Sequence, residues 1–238
     1  MKDKSYTAPE KAFIRSSFNS ITPRYDFLNQ ILSFGMSERW RQKSCEILLG
    51  GEVGDRPRAK TILDLGCGTG KFLECFLKAR KWDFAVGLDF SSEMLKKARE
   101  TVEGAAVWIE EDFEKLPFLE GSFDLIISAF TLRSVQDVPA FLKEINRVLS
   151  PGGRVALLDL TRPRGITAFF FYPYLRWILP ALGGIISGNH QAYHFLSSSV
   201  RGFQRPEKTV DLMENAGLRN IRLKRFAFDV ATLIIASK

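Results

Sequence analysis

Apolar residues change their period along the chain, and each change marks an element. Between residues 9 and 49 they recur at helical spacing: Phe13, Phe18 and Ile21, then Tyr25, Leu28, Ile31 and Leu32, with a break at Pro23. Residues 1–50 are therefore expected to form a helical cap. Gly50 to Lys60 is rich in glycine, proline and charge and reads as a linker. From Thr61 short apolar runs alternate with amphipathic ones. The pattern predicts strands at Thr61–Leu65, Phe84–Leu88, Ala106–Glu110, Phe123–Ser128 and Arg154–Asp159, with helices at Lys71–Ala79, Glu93–Val102 and Pro139–Leu149. Such alternation implies an α/β fold with a parallel sheet, helices on both faces, and ligands outside the carboxyl ends of the strands. A helix from Pro206 to Gly217 and two strands, Arg219–Phe226 and Asp229–Ala236, close the chain. Residues 51–238 thus read as one domain, with residues 160–205 inserted as an apolar lid.

Composition narrows the class. The chain has 238 residues, enough for one domain with a lid, and its 45% hydrophobic content is that of a folded protein. Three cysteines, Cys45, Cys67 and Cys75, form no CxxC pair and predict a reducing compartment without disulfides. The N-terminus shows neither a secretory signal nor a typical transit peptide, so the expectation is a cytoplasmic protein. Net charge is +7, and all of it lies late: residues 1–159 hold 23 Lys+Arg against 23 Asp+Glu, residues 160–238 hold 11 against 4. A basic face attracts anionic lipid or nucleic acid, or simply solvates the surface, and charge does not choose among them.

The candidate chemistry begins at Ile62–Gly70, ILDLGCGTG. A dinucleotide fingerprint would need glycine at 71, where Lys71 stands, so the spacing is G-x-G-x-G. With an acid two residues before the first glycine, this form resembles the S-adenosylmethionine (SAM) methyltransferases. Gly66 and Gly68 would let the backbone approach the cofactor, and Asp64 would help anchor its charged amino end. A tight structural turn is the plain alternative. Asp89 ends the second predicted strand, where a carboxylate accepts from both ribose hydroxyls. It could instead cap the next helix, but Ser91 or Ser92 already suits that role, which favours the ribose contact. After the third strand Asp112 can take the adenine amino group and Phe113 can cover the ring, while Glu110 and Glu111 nearby read as surface acid. At the end of the fourth, Ala129 leaves room for the cofactor. The resemblance implies the Rossmann-like class I fold: a mostly parallel seven-stranded sheet with a C-terminal antiparallel hairpin, here with an added helical cap and lid.

Two further stretches narrow the resemblance. Tyr25-Asp26-Phe27-Leu28-Asn29 with Leu32-Ser33-Phe34-Gly35 and Trp40-Arg41, together with Ala129-Phe130-Thr131-Leu132-Arg133 and the Ala192-Tyr193 to Arg201 region, are similar to the ubiquinone/menaquinone biosynthesis C-methyltransferases. That resemblance implies methyl transfer from SAM to a ring carbon of a demethylated prenyl quinol. It also implies cofactor contacts at Thr69, Met94, Asp89, Asp112-Phe113 and Ala129, and a catalytic Arg133 that activates the quinol beside Ser134. Arginine stays protonated, so its expected role is to stabilise the phenolate or order a water. A salt bridge to a surface acid is its plain alternative. Tyr25, expected as a catalytic accessory proton carrier, and Asn29, expected to contact the substrate, stand i, i+4 and can point together into a site; an aromatic core residue beside a polar helix edge reads equally well.

The apolar block from Ile166 to Ser187 is interrupted by Pro173, Arg176, Pro180 and Gly183-Gly184, which argues against a spanning helix. Aromatic walls made by Phe170, Tyr174 and Trp177 suit a quinol and its isoprenoid tail, and nearby arginines suit peripheral contact with anionic membrane. A core helix or a homodimer interface is the alternative. His194 joins the substrate set; with His190 it has the spacing of a metal pair, but no metal is expected from two histidines alone. Nucleic acid is not expected as a partner, because the aromatics come in an apolar block rather than interleaved with Lys and Arg. A methyltransferase of another lipophilic small molecule is the nearest rival.

Overall fold

The computed structural model describes residues 19, 22–50, 60–113, 115–163, 165–181, 197–200 and 205–238. A short 3-10 turn leads into α1 (Tyr25–Leu32) and α2 (Met36–Leu49). Then come β1 (Thr61–Leu65), α3 (Lys71–Ala79), β2 (Phe84–Asp89), α4 (Ser92–Thr101), β3 (Val107–Glu110), β4 (Phe123–Ala129), α5 (Val138–Val148) and β5 (Leu149–Leu160). After α6 (Gly165–Pro173), the chain ends with α7 (Pro206–Asn215), β6 (Arg219–Phe226) and β7 (Ala231–Ser237).

Seven strands pair in the order β3-β2-β1-β4-β5-β7-β6, and only β7 runs antiparallel to its neighbours. The order reverses beside β1, between β2 and β4, so the crevice for a ligand opens at the carboxyl ends of those strands. Both sheet faces are covered, which is why the central strands read as unbroken apolar runs. On one face Leu63, Val86, Ile126 and Val155 pack against Phe141 and Ile145 of α5 and Met213 of α7. On the other, Ile62, Ala85, Leu125 and Ala156 meet Phe72 and Phe76 of α3 and Trp40, Ile47 and Leu48 of α2. Each of these large side chains contributes about 1.5–3 kcal/mol by leaving water. Of the residues expected as a cap, α2 is thus a layer of the sheet. α1 instead joins Leu28 and Leu32 to Leu175, Leu179 and Val200 in a small core over the strand ends.

Some boundaries differ from the periodicity. β5 starts at Leu149 rather than at Arg154 and runs through Ser150-Pro151-Gly152-Gly153, and the pairing skips from Phe123↔Leu149 to Leu125↔Arg154 to absorb these residues. β7 begins two residues late because Ala227, Phe228 and Asp229 all take positive φ in the hairpin loop. α7 ends as Gly217 predicts: the Leu218 N–H reaches Met213 O and the Gly217 N–H reaches Glu214 O, with Gly217 at φ +92. Pro173 ends α6, since its ring removes a donor, and Tyr174–Ile178 continue as a wider π turn. Among the described residues no helix is long and apolar enough to cross a membrane.

Candidate active site

The chain leaves β1 and turns through Gly66, Gly68 and Gly70, all at positive φ. Asp64 closes this turn from below: its Oδ2 accepts from the Leu73 N–H at 3.2 Å, filling an open donor in the first turn of α3. Its Oδ1 is buried without a hydrogen-bond partner among the described residues. Burial pushes Asp64 up to about 8, against the pull of Arg41 and the Leu73 N–H. Asp89, at the end of β2, accepts from the Gly68 N–H at 2.8 Å and the Ser91 N–H at 2.9 Å. Burial raises it to about 6, and those N–H groups oppose the rise. Ser91, not Asp89, caps α4, its Oγ accepting from the Met94 N–H.

Gly66, Gly68, Asp89, Met94, Phe113 and Ala129 line one cleft, which Phe90, Thr131 and Ser134 complete. Phe90 meets Phe113 edge to face at 5.9 Å, giving the cleft an aromatic wall. Ser134, expected beside the acceptor, faces this cleft. Asp64 lies behind the glycine turn, and half-buried Asp112 stands outside the lining. Thr69 is also outside it, its hydroxyl donating to Asp26 Oδ1 at 2.7 Å. Ser91 Oγ likewise donates to Asn19 Oδ1 at 2.6 Å. These bonds tie Asp26 to the glycine turn and Asn19 to the start of α4, and the cleft beside them measures about 40 Å³. Small-molecule sites measure roughly 300–1,000 Å³, so the cleft must widen to admit a nucleoside.

The chemistry of the cleft fits SAM. The unmatched Oδ1 of Asp64 suits an ammonium group, and a Cβ on Gly68 would meet nothing within 4 Å, so that backbone is bare toward a ligand. The two glycines then separate in a test. A Cβ on Gly66 would collide with the Thr131 side chain. Gly66→Ala is expected to lose stability through that collision and through about 1–2 kcal/mol of left-handed strain. Gly68→Ala carries only the strain, and its larger loss is tenfold or more in SAM affinity by calorimetry. Unchanged affinity in Gly68→Ala would place the cofactor elsewhere.

A second, larger cavity of about 480 Å³ adjoins the cleft. Tyr25 and Phe130 line both and form the partition between them. Phe130 takes φ +63, a conformation a phenylalanine rarely adopts, with its N–H bonded to Leu158 O at 2.7 Å. The cavity wall is mostly apolar, with Trp40, Phe170, Phe171, Tyr174 and Leu175 among its residues and Asn29 at its edge. Tyr174 donates its hydroxyl to Leu32 O, and burial raises its pKa, so it stays neutral. Trp177 is 64% exposed and lies outside the lining. His194 lies outside the described residues.

Arg133 reaches this cavity from the turn Leu132–Ser134 and is 7% exposed. Its Nη1 donates to Asp159 Oδ1 and its backbone N–H to Asp159 Oδ2, while the Leu160 N–H adds a bond of 2.7 Å to Oδ1. Burial pushes the Asp159 carboxyl up and Arg133 opposes the rise. The partner of Arg133 is therefore a buried acid at the end of β5, not a surface one. Asp159 was missed in the sequence although it ends a strand as Asp89 does. Phe130 and Arg41 were missed too: the Arg41 guanidinium carbon stands 5.1 Å from the Phe130 ring centre, and that of Arg133 stands 5.9 Å from it.

Comparisons with known proteins agree with this geometry. A model of the ubiE/COQ5 methyltransferase family matches residues 6–238. The demethylmenaquinone methyltransferase of Thermus thermophilus is 36% identical over 225 residues, covering 93% of this chain and 99% of that protein. A ubiquinone/menaquinone biosynthesis C-methyltransferase of Desulfotalea psychrophila is 34% identical over 215 residues, 90% of this chain and 85% of its own. Among solved structures, a SAM-dependent methyltransferase of Thermotoga maritima superposes with a TM-score of 0.65 at 18% identity, covering 94% of this chain and 99% of that one. One from Methanococcus maripaludis gives 0.62 at 17%, covering 98% and 97%.

Proposed function

The chain belongs to the ubiE/COQ5 methyltransferase family, and on that premise we propose that it methylates a ring carbon of a demethylated prenyl quinol, demethylmenaquinol or the corresponding benzoquinol. The observation that carries the reading is the pair of spaces meeting at Tyr25 and Phe130, one polar and glycine-floored, the other a large apolar cavity with a guanidinium in its wall. When bound, SAM supplies a methyl group on a positively charged sulfur. Gly66 and Gly68 would receive it closely, Asp89 would accept from the ribose, Asp64 would offer its unmatched Oδ1 to the ammonium group from behind the glycine turn, and Phe113, Met94 and Ala129 would border the adenosine. Thr69 would reach it on releasing Asp26, and Asp112, next to Phe113, would take the adenine amino group.

The quinol ring sits against Phe130 and Tyr25, with Asn29, Phe170 and Tyr174 around it. Its nucleophilic carbon gains electron density when the neighbouring hydroxyl loses a proton. Arg133, held by Asp159, donates to the oxygen where that charge develops and does not itself act as base. Tyr25 borders both spaces and would help hold the ring in line for transfer, where positioning supplies much of the acceleration. Water takes the proton away.

The prenyl tail leaves through the mouth beside Ile166 and Phe170. Phe169, Trp177 and Ile178 are exposed there next to Arg176, which supports peripheral contact with the anionic bilayer that holds such a substrate. The expected site of work is then the inner face of the cytoplasmic membrane. Transfer of labelled methyl to demethylmenaquinol and to a demethylated benzoquinol, with mass analysis of the product, tests the function. Ring methylation of either is expected. Turnover of neither, with SAM bound, would assign the cavity to another lipophilic acceptor.

A further inference from the structure

Arg41 has no role in the account so far, yet it is the least compensated charge in the cavity wall. Its side chain is 11% exposed and lines the acceptor cavity, and its ion pair with Glu38 is long, 3.5 Å, to a carboxylate 52% exposed. Such an i, i+3 surface contact offsets little of a buried charge. Arg133 differs, since buried Asp159 balances it. The other acid that feels Arg41 is Asp64, which burial holds near 8, so at pH 7 roughly nine-tenths of it is neutral. The Cys75 thiol, also within reach of Arg41, is pushed up to about 11 and stays protonated. Of the two phenols in the lining, Tyr174 is held neutral by burial and by its bond to Leu32 O. The Arg133–Asp159 pair thus brings little net charge to the wall, and Arg41 brings nearly a whole one.

We propose that Arg41 is a second guanidinium of the acceptor site, whose charge holds the hydroxyl of a bound aromatic ring as its oxyanion. The phenolic class of ligand follows from an apolar, aromatic-walled cavity with two guanidinium groups near one ring, Phe130. That the natural phenol is a prenyl quinol rests on the function proposed above. Arg133 orients one oxygen through a geometry fixed by Asp159, while Arg41 makes the site positive. An opposite charge within about 4–6 Å lowers the pKa of an acid by roughly 1–3 units, which is enough to populate the nucleophilic anion near neutral pH. The hydroxyl proton passes to solvent, and the electron pair left on oxygen conjugates into the ring carbon that attacks.

The test uses 1-naphthol, a fused-ring phenol without a tail, whose ionised form is read by its red-shifted absorbance. With the full chain, the positive wall is expected to outweigh the opposing effect of burial, so that the ionisation midpoint of bound naphthol falls below that of free naphthol. Arg41→Met keeps the stem over Phe130 and should recover at least about one unit of that shift, whereas Arg41→Lys should retain most of it. In parallel, the acid limb of kcat for the demethylated quinol should move to higher pH by the same amount in Arg41→Met, with rescue in alkali. Arg41→Gln serves if the methionine variant melts early. Equal midpoints in wild type and Arg41→Met would overturn the proposal, as would a defect confined to weaker SAM binding, which would assign Arg41 to the carboxylate of the cofactor. A shifted naphthol with no turnover of either quinol would overturn the quinol function and leave Arg41 standing; turnover with unshifted naphthol would do the reverse.

Discussion

Arg133→Ala is expected to lower kcat for ring methylation by about 10²–10³-fold, the usual loss on removing one donor from a developing oxyanion, with SAM affinity unchanged. The variant also leaves Asp159 buried without its cation. Removing one partner of a buried pair costs about 3–5 kcal/mol, so the melting temperature should fall as well. Burial already raises the Asp159 carboxyl in the presence of Arg133, and without it the group is raised further above its unfolded value. An acid whose folded pKa is raised makes the fold less stable as pH rises through that window, so the melting deficit of Arg133→Ala should be larger at pH 8 than at pH 5. These two consequences separate in one further variant. Arg133→Ala with Asp159→Ala removes both charges, and replacing a buried pair by apolar groups is often neutral. The double variant should therefore regain stability and remain inactive. Recovery of turnover along with stability would mean that the arginine serves only the fold.

The pair illustrates what could be read along the chain and what could not. The alternation of strands and helices, the glycine spacing and the acid at the end of β2 are local signals, each element carried by a short run of neighbouring residues, and the fold keeps them. Arg133 and Asp159 stand 26 residues apart, on a turn after β4 and on the end of β5, and only the sheet order makes them neighbours. Asp159 was nevertheless open to the strand-end argument that found Asp89. Arg41 was harder. In α2 the buried face includes Ser37 and Ser44, and Ser44 satisfies itself by donating to Trp40 O at 2.7 Å, so the apolar stripe is faint and the orientation of the helix is hard to read. The aromatic block misled in the opposite sense. Phe170 and Tyr174 face the cavity and Trp177 does not, because the π turn after Pro173 changes the angle between successive side chains.

The affinity for SAM is expected to fall about tenfold per unit as pH drops from 8 toward 6 if, as proposed, the cofactor binds the ionised form of Asp64. The carboxyl is held near 8 by burial, its Oδ1 lacks a hydrogen-bond partner among the described residues, and a positively charged ammonium group beside it would pull its pKa down. Below 8 binding must therefore expel a proton. Calorimetry at pH 7 in buffers of different ionisation enthalpy should record release of nearly one proton, and at pH 6 only about a hundredth of the free protein carries the carboxylate, so affinity there should be about a hundredfold below its alkaline limit. For the fold itself the sign is opposite: a raised acid favours the folded state least where it is ionised, so SAM-free protein should lose stability as pH rises from 4 through 8, and SAM should restore it most in alkali. Asp89, raised to about 6, adds the same tendency at lower pH and steepens the loss of affinity below 6. Asp64→Asn removes the proton that must leave, so its SAM affinity should be weak and nearly flat between pH 6 and 8. If the wild type is equally flat, with no proton released, the ammonium group of the cofactor lies away from Asp64, and the acid before the first glycine serves only to cap α3.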